Sequence, residues 1–515
     1  MSPRIPSQAT AYDEVEYAAR PHLSTHPDRL ATIARIYGLN APDPRRCRVL
    51  ELGCSDGGNL LAMSFALPES SFLGVDFAHT AVDAGNALIA ELGVGNVQLR
   101  WADLLDLDET LGTFEYIVAH GVFSWVPAPV RRKLLAICQA CLAPNGVAYV
   151  SYNAYPGCSA RQMARDLMLF HVRGVGDPEA RIGQALNYLS QVAAAQPPGS
   201  AYRLALEGEL TQLANAGTSF VYHDALSSEN QPFYFEEFAE QAALAGLQFL
   251  SEAQFFESFE AGLLVGHARA LPAVSPPDVV RSEQYLDHLK GRSFRQTLLV
   301  QRGHALDRSL DPSHLPGLFA VARFQRSTPE GASVAAPAEQ FTSVNGVRIT
   351  TASVIAKATF DALSDAWPAA LGHAELLVRV LEIARPENAR AVEDELGSLL
   401  LRCHASRAIE LRSTQVAFEV RPGRLPRATS LARQQARSGD AITNLSHAQV
   451  GDLDPLARIL LGMLDGSKQR AELARALNDS GAASLALPVT EAELERLLNV
   501  LAGHRMLLRS DLTSA

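Results

Sequence analysis

Glu51-Leu52-Gly53-Cys54-Ser55-Asp56-Gly57-Gly58-Asn59 follows a short apolar run, residues 47–52, and opens a helical pattern that continues to residue 66. Glycines at such a junction let the backbone turn sharply and approach a ligand with no side chain between. The helix start then offers N–H groups that have no partner within the helix. The spacing is GxxxGG and not GxGxxG, so it does not match the pyrophosphate cradle of a dinucleotide.

Working outward, strands and helices alternate. Residues 71–75 read as a second strand, 80–92 as an amphipathic helix, 97–101 as a third strand and 116–119 as a fourth. A helix over 129–142 starts on a proline, which suits a first turn, and Pro144-Asn145-Gly146 is read as the turn that closes it. Residues 147–152 form the fifth strand. This alternation predicts an α/β, Rossmann-like, doubly wound sheet built by right-handed crossovers. Residues 159–217 read as helices broken at Gln196-Pro197-Pro198-Gly199, and 235–245 as another helix. Two more strands, 246–250 and 294–300, would complete seven, leaving 159–217 and 256–293 as insertions.

The chain has 515 residues, which suggests about three domains. We expect a core over 1–158, a helical insertion over 159–218 that is a candidate homodimer contact, and a segment over 219–305 that completes the sheet. Smaller α+β, winged-helix-like domains would follow over 306–430 and 431–515. Linker signals at Thr328-Pro329-Glu330-Gly331 and near Arg421-Pro422-Gly423 divide this region. A faint repeat runs through it: residues 373–382 parallel 470–478, and 391–412 parallel 490–509. The expected unit is three helices and a hairpin.

Lys and Arg number 45 against 56 Asp and Glu, a net charge of −11. An acidic chain without a basic block argues against nucleic acid as main partner. No signal segment and no membrane span are visible, and six scattered cysteines fit a reducing cytoplasm. Cys138 and Cys141 have CxxC spacing inside an apolar helix, so buried thiols are expected and no metal ligands.

An acidic residue before GxxxG is the pattern that accommodates the amino-acid end of S-adenosylmethionine. Asp76 ends the second strand, where a carboxylate can accept from ribose hydroxyls, and Asp103 follows the third, within reach of an adenine amino group. Each could instead cap a turn, as Asp does well. The candidate cofactor set is Glu51, Gly53, Cys54, Gly57, Asn59, Asp76, Phe77, Asp103 and His120. At the fourth strand's end, His120 could take a proton or be a hydrogen-bonded edge residue. Trp125 and Phe123 could line the site or the core. The fifth strand ends in Tyr152-Asn153-Ala154-Tyr155, where Tyr152, Asn153 and Tyr155 could orient an acceptor amine or shape a turn. The catalytic candidates are thus His120, Trp125, Tyr152, Asn153 and Tyr155. Methyl transfer from a sulfonium needs alignment and desolvation more than strong acid–base help.

Tyr12-Asp13-Glu14-Val15-Glu16-Tyr17, Thr25-His26-Pro27-Asp28-Arg29-Leu30, the glycine loop, residues 120–127, residues 151–157, Gln284-Tyr285-Leu286-Asp287-His288-Leu289 and residues 294–299 carry a further signal. Together they resemble bacterial methyltransferases with a methyltransferase regulatory domain, among them rickettsial protein lysine methyltransferases. The resemblance covers about residues 10–303, more loosely to the end. It implies that Gly53, Asp76 and Asp103 bind S-adenosylmethionine and that a middle and a winged-helix-like C-terminal domain follow. Tyr12 and His26, by their position before the first strand, could close over the cofactor or serve as a helix cap or in packing. Ser55 stands where a third glycine is often found, and no Asn-Pro-Pro-aromatic string follows the fourth strand.

The leading expectation is N-methylation of lysine in a protein or peptide. A small-molecule methyltransferase acting on a metabolite or glycan, or a non-catalytic cofactor-binding regulator, are the alternatives. A sealed cavity would favour a small acceptor, and an open groove with acidic residues a polypeptide.

Overall fold

The computed structural model describes residues 20–258, 278–327, 338–385, 389–415, 418–439, 441–480 and 489–509. A helix α1 (Pro27–Ile36) leads into β1 (Arg48–Leu52), α2 (Gly58–Ala66), β2 (Ser71–Asp76), α3 (His79–Leu92), β3 (Val97–Trp101), β4 (Phe114–Ala119), α4 (Ala128–Cys141) and β5 (Leu142–Asn153). Three helices follow, α5 (Ser159–His171), α6 (Pro178–Ala194) and α7 (Ala201–Ala216), with their own small core around Met168, Leu189 and Leu206. Then come α8 (Phe235–Leu244), β6 (Leu247–Glu252), α9 (Val279–Lys290) and β7 (Phe294–Gln301).

The seven strands lie in the order β3-β2-β1-β4-β5-β7-β6. β1 to β5 pair in parallel, and β7 runs antiparallel between β5 and β6. Strand residues alternate between faces: Val49, Tyr116 and Tyr149 join the core under α1, α2 and α3, while Leu50, Ile117 and Val150 join the core under α4 and α8. Both faces are covered, so the central strands read as continuous apolar runs. Cys138 and Cys141 lie in the second core. One expectation is corrected here: Pro144-Asn145-Gly146 is not a turn after α4 but a bulge inside β5, between the pairs Phe114–Leu142 and Tyr116–Val147.

The closing strand β7 carries a fully buried arginine. Arg295 donates to Glu252 at 2.6 Å, to Glu283 at 2.9 Å and to Asp287 at 2.8 Å, and its guanidinium lies 3.8 Å from the centre of the Phe235 ring. Buried charge is tolerable only when paired in this way.

Behind the sheet stand two small units with related topologies; the second has one more helix ahead of its hairpin. In the first, β8 (Phe319–Val321) is followed by a three-stranded sheet of β9 (Phe324–Ser327), β10 (Glu339–Ser343) and β11 (Arg348–Thr351). Then come α10 (Val354–Ala366), β12 (Leu371–Gly372), α11 (His373–Ala384), α12 (Ala389–Ala405) and β13 (Glu410–Arg412). The second has α13 (Ser430–Ser438), a hairpin of β14 (Ile442–Thr443) and β15 (Gln449–Val450), then α14 (Pro455–Met463), α15 (Arg470–Asp479) and α16 (Glu491–Gly503). The repeat in the sequence falls on α11 with α15 and on α12 with α16. The expected hairpin after the third helix is corrected. The strand there pairs instead with a strand that precedes the unit: Leu411 with Ala320 in the first, Leu507 with Ala428 in the second. That same leading strand also pairs with the segment after the helix that follows the small sheet: Leu371 after α10 in one unit and Asp465 after α14 in the other. Among the described residues no helix is long and apolar enough to cross a membrane.

Candidate active site

The loop after β1 is shaped by its glycines. Gly53 sits at φ 78°, and a Cβ there would lie 2.3 Å from Cγ2 of Val122. Gly57, at φ 74°, forms the N-terminal boundary of α2. Ser55, where a third glycine is often found, takes φ 51° with a side chain, a conformation that L-residues adopt only under local support. That support is Asp76. Its Oδ2 accepts from the Ser55 N–H at 2.7 Å and its Oδ1 from the Ala78 N–H at 2.8 Å. A carboxylate offers about four acceptor positions, so the pinning of the loop leaves others for a ligand. Burial raises the Asp76 pKa, and these backbone donors counter it.

Glu51 is buried at the end of β1. Its Oε1 accepts from Asn59 Nδ2 at 2.8 Å, while its buried Oε2 has no partner among the described residues. Burial pushes its pKa up to about 8, with the Asn59 contact opposing. Asn59 itself is fully engaged within the protein: it meets Glu51, the Thr25 hydroxyl, the His22 N–H and the ring of His447. It therefore serves the pocket by holding Glu51, not by facing a ligand. The Cys54 side chain is likewise corrected: it packs inward, so close to Gly74 that a Cβ there would lie 2.6 Å from its sulfur. Only its backbone remains for the loop.

Asp103 caps the turn after β3, accepting from the Leu105 N–H at 2.9 Å. Phe77 is 42% exposed beside Asp76, and its carbonyl accepts from the Trp101 indole at 3.0 Å. His120, at the end of β4, shares a 2.8 Å hydrogen bond through Nδ1 with the Tyr149 hydroxyl. Its ring stacks on His22 with centroids 3.8 Å apart and meets the edge of Phe294 at 6.1 Å. Burial, reinforced by His22, lowers the His120 pKa to about 3; burial and Arg20 lower that of His22 to about 4. Both rings are neutral at physiological pH. The wall they form with Phe294 stands at the carboxyl ends of the strands, where such sheets bind ligands.

Other candidates move. Tyr152 is 1% exposed, stacks on Phe238 at 4.1 Å, and bonds through its hydroxyl to Thr297 at 3.2 Å. It shares the β5 face of Val150, so it belongs to the core and not to the site. Asn153 is buried and ties Asn230 at 3.0 Å, which makes it a brace for the adjoining loop. Trp125 sits half-buried in a short turn, Phe123–Trp125. Tyr155 leans on Tyr234 at 5.3 Å and lines an open groove of about 580 Å³ with Gln162, Asp166 and Phe170. His26 caps α1, accepting from the Asp28 N–H at 3.2 Å, with its ring 5.4 Å from His447. Tyr12 lies outside the described residues. His22, Tyr149, Phe294 and His447 were not among the candidates. Among the described residues no group of acids, histidines and cysteines is placed to hold a metal.

Known proteins match along this architecture. Residues 49–146 match a family described as a methyltransferase domain, 217–301 a predicted methyltransferase regulatory domain, and 425–495 a PKMT C-terminal winged helix domain. Uncharacterized protein RP789 of Rickettsia prowazekii is 36% identical over 301 residues, 58% of this chain and 54% of that protein. The alignment thus spans about half the length of that relative. Uncharacterized protein RP028 of the same organism is 35% identical over 233 residues, 45% of this chain and 93% of that protein. Among solved structures, PKMT2 from Rickettsia typhi in complex with AdoHcy superposes with a TM-score of 0.82 at 25% identity, covering 96% of this chain and 100% of that one.

Proposed function

We propose that this chain, which belongs to the family of S-adenosylmethionine-dependent methyltransferases with a methyltransferase regulatory domain, methylates the side-chain amine of lysine in a protein substrate. The observation that carries the cofactor assignment is Glu51, whose buried Oε2, at the end of β1, has no partner among the described residues. A cationic amino group is what such a carboxylate lacks, and the amino-acid end of S-adenosylmethionine has one. Asp76 retains acceptor capacity for ribose hydroxyls, and Asp103 and Phe77 flank the place of the adenine. The residues present fit the group.

When bound, S-adenosylmethionine supplies an electrophilic methyl on a sulfonium whose departing thioether is neutral. The chain's task is then to align the acceptor nitrogen and to keep it unprotonated. The His22–His120–Phe294 wall suits the second task. The burial that holds both imidazoles uncharged also disfavours an ammonium placed against them. Tyr149 fixes the His120 ring through Nδ1. With its pKa near 3, His120 acts as a desolvating surface and not as a strong base.

A protein acceptor is supported by the PKMT relatives and by the groove that runs from Tyr155 along α5 past Gln162 and Asp166. It is open, with the single carboxylate of Asp166 on its lining, and has room for an extended polypeptide. We place the reaction in the cytoplasm and assign the exposed Leu204 of the helical unit to a homodimer contact. The test is calorimetric titration of S-adenosylmethionine and S-adenosylhomocysteine into wild type and Asp76→Ala, followed by labelled-methyl transfer to lysine peptides. Binding that Asp76→Ala weakens by about 1.5 kcal/mol or more is expected, the scale of hydrogen bonds to a charged group. No binding by the wild type overturns the reading.

A further inference from the structure

The turn between β14 and β15 reaches from the C-terminal unit into the cofactor site. It is held tightly: the Asn444 amide oxygen accepts from the N–H groups of Ser446 at 2.9 Å and Ala448 at 3.0 Å, and its Nδ2 donates to the carbonyl of His504 at 3.0 Å. His447, at its tip, takes φ 59°. That region disfavours any residue with a side chain and is kept only where the surroundings impose it. Glycine would adopt it more readily, so the imidazole is kept there at some conformational cost.

The ring is 1% exposed, and its Nε2 lies 2.8 Å from Asn59 Oδ1. An amide oxygen can only accept, so Nε2 carries the hydrogen and donates. Nδ1, buried with no partner among the described residues, then carries a lone pair. The same Oδ1 also accepts from the His22 N–H at 2.9 Å. With two donors fixing the oxygen, the Asn59 NH₂ is left to face Glu51 Oε1. Turning the amide over would set its NH₂ against both donors and break the contact to Glu51.

We propose that His447 is a positioning residue for the cofactor: its Nε2 orients Asn59, Asn59 holds Glu51, and the C-terminal unit thereby sets how tightly the cofactor's amino-acid end is bound. This rests on the reading of the pocket as an S-adenosylmethionine site.

The experiment titrates S-adenosylhomocysteine into the full-length wild type, His447→Ala, His447→Gly and His447→Gln. It also records melting temperatures, hydrogen exchange of residues 53–59 without ligand, and steady-state kinetics. The alanine variant should raise Kd about tenfold, the loss of one hydrogen bond, raise KM for S-adenosylmethionine in parallel while kcat changes little, and speed exchange in the loop. The glycine variant should melt at or above the wild-type temperature, with the backbone relieved, yet bind as weakly as alanine. The glutamine variant keeps an N–H donor and should recover most of the affinity. Alanine and glycine variants that bind within about twofold of wild type, or a glutamine variant no better than alanine, overturn the inference. Absence of binding by the wild type overturns the cofactor reading and this inference with it.

Discussion

The two units behind the sheet are built alike from a small sheet followed by three helices but join the catalytic domain to different extents. The first shares its core: Phe341, Phe360, Leu376 and Leu400 belong to one continuous cluster with Leu30 and Ile33 of α1 and Leu60 of α2. It also grips α1 directly, since Asp28 Oδ1 accepts from the N–H groups of Ser413 and Thr414, each at 2.8 Å, and from the Ser413 hydroxyl at 2.7 Å. The second packs chiefly around its own cluster, with Leu460, Leu473, Leu494 and Leu497 at the centre. It touches the shared cluster through Leu431, donates from the Ser430 hydroxyl to the Leu92 carbonyl at 3.2 Å, and reaches the site through His447. Related folds therefore serve as a structural extension in one place and, in the other, as a body with mostly its own core and a probe into the site.

Three experiments break or sharpen this contrast. The largest effect is expected from Asp28→Ala, which leaves several buried donors without an acceptor. Removing one side of such a buried charged network costs about 3–5 kcal/mol, and because the cores are merged the loss should appear in urea unfolding of the whole catalytic domain. A midpoint that hardly moves would mean that the first unit is joined loosely after all.

Next is Leu497→Ala, a fully buried core position, with an expected cost of about 2–5 kcal/mol. Hydrogen exchange should rise within residues 418–509 and leave α1 and the central sheet unchanged, whereas Leu400→Ala should spread into α1. Identical exchange patterns for the two variants would erase the distinction.

The smallest effect is a proton count at Glu51, the carboxyl at the end of the chain from His447. Its folded pKa of about 8 lies above the ordinary 4.5. The folded, ligand-free protein thus binds a proton that the unfolded chain has lost, and its stability should fall as pH rises from 4.5 towards 8. A cofactor ammonium beside Glu51 favours the ionised form, so binding at pH 7 should release somewhat less than one proton. Calorimetry in two buffers of different ionisation enthalpy measures this. Equal apparent enthalpies would show that Glu51 is not discharged on binding.

What could be read from the chain followed the range of the interactions. The five parallel strands, the glycine loop and Asp76 were legible because each depends on neighbours within one strand–helix unit. Tyr152 was misplaced for a reason the strand itself contains: side chains alternate, and residue 152 shares the parity of Val150 and Ala148, which face α4 and α8. Tyr149, of the opposite parity, is the tyrosine that meets His120. His22 and His447 carry no local signature. Asn59 and His447 are 388 positions apart, and only the docking of a distant unit brings them together. The hairpins expected after α12 and α16 failed similarly, because the true partner strands lie ahead of each unit and not beside it.

The burial of Arg295 has a consequence for the order in which the protein is made. β1 to β5 emerge in sequence and can pair as they appear, each beside strands already present. β7 cannot take its place next to β5 until its arginine finds Glu252 on β6 and both Glu283 and Asp287 on α9. An unpaired guanidinium there would be excluded from the interior. β6, in turn, has no place in the sheet except against β7. The ribosome must therefore deliver the segment from β6 through β7 before the far edge can close, and until then β5 waits as an open edge.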